Sequence, residues 1–229
     1  MRELSPSEVS DGPLAWPILA HAVLARGRVS DFVNDTVEVP GDGPMERQYL
    51  LHPGAVGVIA WDEDDRIAVV RQYRHPAAYQ LVEPPAGLLD ADGESWVAAA
   101  ARELAEEAGL KAERWQLLVD LFTSPGACQE SLRIYLARGL SPAPAPDGFV
   151  AHHEEAHMEA CWAFRADLVD AILAGKLQNP TMVSGVLALE VVRLSGRLDD
   201  LRGPDQAWPA RTAWSQRNDL LAGLDGRAG

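Results

Sequence analysis

The segment GLLDADGESWVAAAARELAEEAGL, residues 87–110, carries the strongest periodic pattern in the chain. Between residues 97 and 108, apolar side chains recur at i, i+3 and i+4 spacing, which is the period of one helix face, and a glycine follows as the usual stop. At about 100° per residue, Glu103, Glu106 and Glu107 fall within an arc of about 100° beside the apolar stripe. The segment therefore predicts an amphipathic helix with three carboxylates next to its buried face.

Three carboxylates on one helical face repel one another. Like charges at i, i+4 spacing cost about a few tenths of a kcal/mol when they are exposed, and more when they are partly buried. A divalent cation would offset this repulsion, and because the segment offers oxygen ligands and neither His nor Cys, it favours Mg2+ or Mn2+ over Zn2+. The alternative is a solvated polar face, which is the ordinary role of a Glu-rich helix.

The spacing of the charged residues narrows this choice. Residues 102–110 read RELAEEAGL, with seven residues between Glu94 and Arg102. The segment resembles the box of the Nudix hydrolases, G-x5-E-x7-R-E-U-x-E-E-x-G-U with U a bulky aliphatic residue; these enzymes cleave nucleoside diphosphates linked to another moiety. The one departure is that six residues, 88–93, separate Gly87 from Glu94 where the pattern has five. We expect the loop to absorb the extra residue at little cost.

The resemblance implies a role for each residue of the box. Glu103 and Glu107 would be the principal metal ligands, Glu106 a ligand or a catalytic partner that positions water, and the backbone carbonyl of Ala86 a further ligand. Four positions would be structural: Gly87, Glu94, Arg102 and Gly109. Among these, Arg102 would orient the glutamates and Glu94 would hold that arginine. The bound metal would neutralise and orient the diphosphate and activate a water to attack phosphorus.

Segments outside the box resemble the ADP-ribose pyrophosphatase branch of this family. They are HPGAVGVIA (52–60), RQYRHP (71–76), EPPAGLLD (83–90), TSPGACQES (123–131) and GKLQNPTMVSGVLAL (175–189). Pro125 lies fifteen residues after Leu110, at about the distance that marks the branch. The resemblance covers roughly residues 15–195. It implies hydrolysis of ADP-ribose to AMP and ribose 5-phosphate.

Four residues outside the box are candidates for substrate binding, and two of them have a stated structural alternative. By resemblance, Arg74 would bind a phosphate or ribose, unless it is a surface arginine at a strand end. Glu83 would be a carboxylate at or behind the metal, unless it is a surface residue of an edge strand. Glu130 would touch the ribose, and Arg47 would reach the adenine site of a neighbouring subunit.

The catalytic base is expected in a loop after the sheet, because in this branch a glutamate there meets the attacking water. The segment AHHEEAHMEACW, residues 151–162, supplies the candidates. Glu155 is the first choice and Glu154 the second. The three histidines of the same segment have a spacing that fits no zinc site, so they indicate a solvated loop.

Composition limits the partners and the compartment. The chain has 34 Asp and Glu against 20 Lys and Arg, a formal net charge of −14, which argues against nucleic acid and against a membrane surface. Two cysteines are too few for a disulfide framework, and a cytoplasmic enzyme is expected. The apolar stretch 13–25 lacks the positive flank of a secretion signal and indicates the first strand. No run approaches the ~18 to 20 apolar residues of a membrane span.

The remaining pattern predicts an α+β fold, a Nudix-type mixed sheet between helices with a small N-terminal antiparallel sheet. Residues 18–52 read as three antiparallel strands, residues 55–75 as a hairpin, and 166–174 and 182–194 as helices. We predict a small N-terminal β domain at 1–53, which forms a homodimer in which the sheet is exchanged between subunits, and a Nudix domain at 54–200. A tail at 201–229 shows no clear period; it would cap the dimer or be disordered.

Three hypotheses follow for the function. The first is a Mg2+-dependent ADP-ribose diphosphatase. The second is a Nudix hydrolase of another nucleotide sugar, such as GDP-mannose. The third is a non-catalytic Nudix module that senses nucleotides. The complete set of box glutamates and the lack of a basic appendage favour an enzyme over the third hypothesis.

Overall fold

The computed structural model of the protein describes residues 1–91, 93–144 and 158–225. Contacts between backbone positions divide the chain into two compact units. One unit comprises residues 1–52, 124–129 and 207–229, and the other comprises residues 53–123 and 130–206. In the described part of the chain, no helix has the length and apolar character needed to cross a bilayer.

In the larger unit, four strands precede the first described helix, and three more strands precede the other two. Its described elements are β4 (Ala55–Ala60), β5 (Arg66–Arg74), β6 (Tyr79–Glu83), β7 (Ala86–Leu88), α1 (Trp96–Ala108), β8 (Leu110–Phe122), β9 (Ser131–Pro142), β10 (Glu159–Phe164), α2 (Arg165–Leu173) and α3 (Pro180–Leu194). The helices predicted at 97–108, 166–174 and 182–194 are confirmed as α1, α2 and α3.

A mixed four-stranded sheet lies at the centre of this unit, in the order β7-β4-β9-β8, with β4 and β9 parallel. Every residue of β4 is buried, because helices cover both faces of the sheet. Val56 and Val58 pack with Leu104 of α1 on one face, whereas Ile59 packs with Val186 of α3 on the other. This layering confirms the predicted α+β fold with a mixed sheet between helices.

The hairpin predicted at residues 55–75 is wrong in its pairing. The chain does turn, since the Asp62 N–H donates to the Arg66 carbonyl at 2.9 Å, but β4 and β5 then enter different sheets. β5 pairs with β6 and β10 in a separate antiparallel sheet. The physical reason is that β4 is apolar on both faces, so it occupies the centre of a covered sheet and not one arm of an exposed ribbon.

Helix α1 begins and ends where its sequence predicts. The Ser95 hydroxyl accepts a hydrogen bond from the Ala98 N–H at 3.3 Å, which caps the first turn. Gly109 then adopts a left-handed conformation (φ 63°), which glycine tolerates, and its N–H donates to the Ala105 carbonyl. The helix is therefore fixed at both ends independently of its acidic face.

The smaller unit contains the predicted antiparallel sheet of three strands, β1 (Ile18–Ala25), β2 (Asp31–Val39) and β3 (Gly43–Leu51). Its C-terminal part, Pro209–Asp225, forms helix α4, which contacts β1. The Trp214 indole donates to the His52 carbonyl at 2.9 Å, and Arg217 donates to Asp35 at 2.7 Å. The disordered alternative for the tail is therefore wrong for these residues, because specific long-range contacts hold a helix that lacks a clear apolar period.

Candidate active site

Strand β7 and helix α1 bring the acidic face of the box against the backbone. A Cβ atom added to Gly87 would lie 2.0 Å from the Glu103 carboxylate. No side chain can occupy that space, so glycine is required for Glu103 to lie against β7. The sequence pattern thus has a steric cause at this position.

Arg102 organises three carboxylates. Its Nε and Nη2 donate to the two oxygens of Glu94, each at 3.1 Å, while Nη1 donates to Glu103 at 2.6 Å and to Glu106 at 3.3 Å. The hydrogen bonds to Glu94 are the largest cause of the raised pKa of Arg102. The six-residue spacer between Gly87 and Glu94 therefore leaves Glu94 within bidentate reach of the arginine.

Glu107 is held by the backbone of the neighbouring strand. The Ala86 N–H donates to one of its oxygens at 2.9 Å. Burial raises the pKa of Glu107 to about 8; the Ala86 hydrogen bond and the charge of Arg74 oppose that shift, and the charges of Glu103 and Glu83 add to it. Burial at this position therefore favours the protonated form of Glu107 over its carboxylate.

The pKa of Glu103 is also raised, although a different set of neighbouring charges acts on it. Its pKa is raised chiefly by burial, while the ion pair with Arg102 lowers it and the charges of Glu106 and Asp90 raise it. Asp90 was not among the predicted site residues. The sequence signal for Asp90 was its position in the loop between Gly87 and Glu94.

A second ion pair lies close enough to affect Glu107. Arg74 donates to Glu83 through Nε, at 3.1 and 3.2 Å, and through Nη2 at 2.6 Å. The Glu83 side chain is 2 % exposed, so the alternative of a surface glutamate is wrong, while the Arg74 side chain is 43 % exposed. Arg74 is therefore held by Glu83 while its side chain stays partly exposed to solvent.

Gln72 completes this pair and was missed in the sequence. It is buried, and its Nε2 donates to Glu83 at 3.0 Å. One residue, Tyr73, separates it from Arg74 on β5, so both side chains lie on the same face of the strand. That alternation in RQYR was the signal that pointed to Gln72.

The donor set at β7 and α1 fits a hard divalent cation. The predicted ligands are the carboxylates of Glu103, Glu106 and Glu107 and the carbonyl of Ala86, all oxygen atoms. Among the described residues, no group of three or more His, Cys, Asp or Glu side chains already stands in ligating position. Two of the glutamates are bound to Arg102 and the third to a backbone N–H. The gathering of these oxygen donors where α1 meets β7 favours a cation there.

The other predicted residues lie elsewhere or outside the described chain. Glu130 precedes β9, and the Thr123 hydroxyl donates to it at 2.5 Å. Arg47 is exposed on β3 in the smaller unit, where it donates to the carbonyl of Glu46 at 3.3 Å. Both candidates for the base, Glu154 and Glu155, lie outside the described residues.

Comparison with known proteins decides the family. The NUDIX domain family matches residues 51–182, which is more than half of the chain. The chain belongs to the NUDIX family. The predicted resemblance is thereby confirmed, and so is the prediction that this protein is a hydrolase.

Individual relatives support the branch and the fold. This Nudix hydrolase is 41% identical over 204 residues to an ADP-ribose pyrophosphatase of Mycobacterium tuberculosis (strain ATCC 25618 / H37Rv), covering 89% of this chain and 93% of the relative. It is 37% identical over 123 residues to an ADP-ribose pyrophosphatase of Bacillus subtilis (strain 168), covering 54% and 66%. A crystal structure of an ADP compounds hydrolase superposes with a TM-score of 0.66 at 22% identity, covering 82% of this chain and all of that one. The last comparison shows the shared fold.

Proposed function

We propose that this Nudix hydrolase cleaves the diphosphate of ADP-ribose to give AMP and ribose 5-phosphate. The observation that carries the proposal is the pair of partly buried glutamates, Glu103 and Glu107, against Ala86 and Gly87 of β7. The relative with 41% identity, which matches most of this chain, is an ADP-ribose pyrophosphatase, and this supports the choice of substrate.

The proposed cofactor is Mg2+, with Mn2+ as an alternative. Glu103, Glu106, Glu107 and the Ala86 carbonyl would hold it. When bound, it would neutralise the charge of the diphosphate and lower the pKa of a water molecule.

The protein's own residues keep the acidic face in order. Arg102 donates hydrogen bonds to Glu94, Glu103 and Glu106. Because Glu94 holds the guanidinium in place, Arg102 fixes the side-chain conformations of the two proposed ligands, Glu103 and Glu106. The Ala86 N–H fixes Glu107 from the other side. This arrangement reduces the entropy that the carboxylates lose when the diphosphate complex forms.

Arg74 is the proposed phosphate- or ribose-binding residue. Glu83 holds one edge of its guanidinium, and Gln72 holds Glu83, so the exposed part of Arg74 is oriented before the substrate arrives. A planar guanidinium donates two parallel hydrogen bonds to a phosphate. We further propose that Glu130 contacts the ribose and that Arg47 serves the adenine site of a neighbouring subunit.

The base remains a proposal from the sequence. Glu155 would accept the proton of the attacking water, with Glu154 as the second choice. General-base catalysis contributes about 10^2- to 10^4-fold to the rate. Glu155→Gln should therefore lower kcat by about 10^2-fold or more with little change in KM, and Glu154→Gln should not. The opposite ranking would move the assignment to Glu154.

We propose that the protein is a homodimer and that it is a cytoplasmic enzyme. The small sheet supports it, since three strands have little core of their own. Four large apolar side chains on these strands are 39–51% exposed: Leu19, Leu24, Phe32 and Leu50. Light scattering on the eluted protein should give twice the chain mass of 24.8 kDa.

The substrate assignment is tested with a panel of nucleoside diphosphate compounds in the presence of Mg2+, scored by the identity of the products. AMP and ribose 5-phosphate from ADP-ribose, at the highest kcat/KM of the panel, would support the proposal. Faster cleavage of GDP-mannose than of ADP-ribose would contradict the proposed substrate and favour GDP-mannose in its place. Glu107→Gln is expected to lose nearly all turnover, while Glu113→Gln, an exposed glutamate on β8, serves as the matched control.

A further inference from the structure

A cavity of about 450 Å3 opens in the larger unit, away from the carboxylates of the proposed active site. Along β4, Gly57 pairs with Ala86 near the glutamates, whereas Trp61, just past the end of β4, lines the cavity. The two positions are four steps apart along the extended chain, which is roughly 13 Å at ~3.3 Å per residue. The cavity is therefore distinct from the site at β7 and α1.

Two of the four arginines that line the cavity are neutralised within the fold. Arg165 donates from Nε and Nη2 to the two oxygens of Asp65, each at 2.8 Å, and is also paired with Glu190. Arg193 donates to Glu190 at 2.8 and 3.1 Å. These two arginines form a fixed wall of the cavity.

The other two arginines, Arg114 on β8 and Arg138 on β9, are direct partners across the antiparallel pair. Directly paired residues lie on the same face of a sheet, and like charges in that position repel. Arg114 is exposed, and among the described residues no side chain or carbonyl accepts a hydrogen bond from it. The pair therefore presents positive charge that is not balanced by a bonded carboxylate.

Arg138 also has a hydrogen-bond donor that lacks an acceptor among the described residues. Its Nη2 donates to the Gln116 side chain, but its Nε is buried and has no hydrogen-bond acceptor in the described part of the chain. Buried donors almost always have an acceptor. A ligand that brings acceptor oxygens between the two guanidinium groups would satisfy this donor and relieve the repulsion.

We propose that this cavity binds a small phosphate-bearing molecule, with the phosphate held between Arg114 and Arg138. Guanidinium forks match phosphate oxygens in geometry and charge. The volume lies within the range of about 300–1,000 Å3 usual for small-molecule sites. Trp61 offers an apolar wall for the body of the ligand, and Glu63, which also lines the cavity, disfavours a second anionic group near the opening.

The test is a titration of metal-free protein with inorganic phosphate at low ionic strength, followed by the indole N–H resonance of Trp61 in NMR spectra. Trp61→Phe assigns that resonance. We expect a saturable shift in the wild-type protein and at least about tenfold weaker binding in Arg114→Gln and in Arg138→Gln, because each removes charge-assisted hydrogen bonds. Arg114 is exposed, so its variant tests the proposal even where Arg138→Gln does not fold.

Matched variants separate this site from others. Arg28→Gln removes an exposed arginine of the smaller unit, and Arg74→Gln removes the arginine at the proposed active site; neither should change the Trp61 titration. Acetate should bind at least tenfold more weakly than phosphate. The proposal is overturned by a Trp61 resonance that does not saturate, by wild-type binding in Arg114→Gln, or by acetate binding as tightly as phosphate.

Discussion

Glu107→Gln should stabilise the metal-free protein at alkaline pH, although it removes a proposed metal ligand. The pKa of Glu107 is raised from 4.5 to about 8, chiefly by burial. A carboxyl whose folded pKa lies above its unfolded value binds its proton more tightly in the folded state. Its contribution to stability is therefore complete below pH 4.5 and is lost as the pH rises through about 8.

The size of the effect follows from the shift. At about 1.36 kcal/mol per pKa unit, a rise from 4.5 to about 8 corresponds to roughly 5 kcal/mol of folding free energy lost by pH 9. Glutamine has nearly the same shape and does not ionise, and its side-chain oxygen can still accept from the Ala86 N–H. The variant should thus match the wild type near pH 4 and exceed it by roughly 3 to 5 kcal/mol at pH 9.

The assay is urea unfolding in EDTA from pH 4 to pH 9, followed by tryptophan fluorescence, with Glu113→Gln as the control for loss of an exposed carboxylate. Repeating the series with Mg2+ should stabilise the wild type at high pH and the variant much less. The reasoning would be refuted if the difference in unfolding free energy between variant and wild type did not change with pH. That result would show that burial does not destabilise the ionised form of Glu107.

Three further changes test other parts of the structure. Gly87→Ala should lower kcat by at least about 10^2-fold in steady-state assays, because a Cβ there displaces the Glu103 carboxylate. Asp35→Asn should lower the free energy of unfolding in urea by about 2 to 4 kcal/mol, since that buried carboxylate accepts from three side chains. Gln72→Leu should raise KM more than it lowers kcat, because Glu83 and its partner Arg74 would lose their fixed orientation. Gln72→Glu should not restore the KM, since a carboxylate cannot donate to Glu83.

Helix α1 could be predicted because its causes are local. Its apolar period, its cap at Ser95 and its stop at Gly109 all lie within residues 95–109. The contacts of Arg102 with Glu94 and Glu106 are also local, since the residues are eight and four positions away. For such a segment, spacing along the chain translates directly into distance in the structure.

Strand partners and buried faces could not be predicted in the same way. The sequence 55–75 contains two apolar runs and a turn, which suits a hairpin, but whether β4 pairs with β5 or with the distant β9 depends on which helices cover it. Glu83 was equally ambiguous, because it precedes two prolines at a strand end and its burial depends on Arg74 and Gln72. Helix α4 lacked a period because polar contacts such as that of Arg217 with Asp35 help to hold it.

The arginines of an acidic chain can be ranked by what accepts their hydrogen bonds. With 34 carboxylates against 20 Lys and Arg, an arginine in this fold has many acceptors to choose from. Arg102 is fully engaged by three glutamates, so it orients them and has little capacity left for substrate. Arg74 is bound to Glu83 and its side chain is 43 % exposed, which suits an arginine that binds substrate. Arg114 and the Nε of Arg138 have no acceptor in the described residues, so for these two the acceptor is best sought in a ligand.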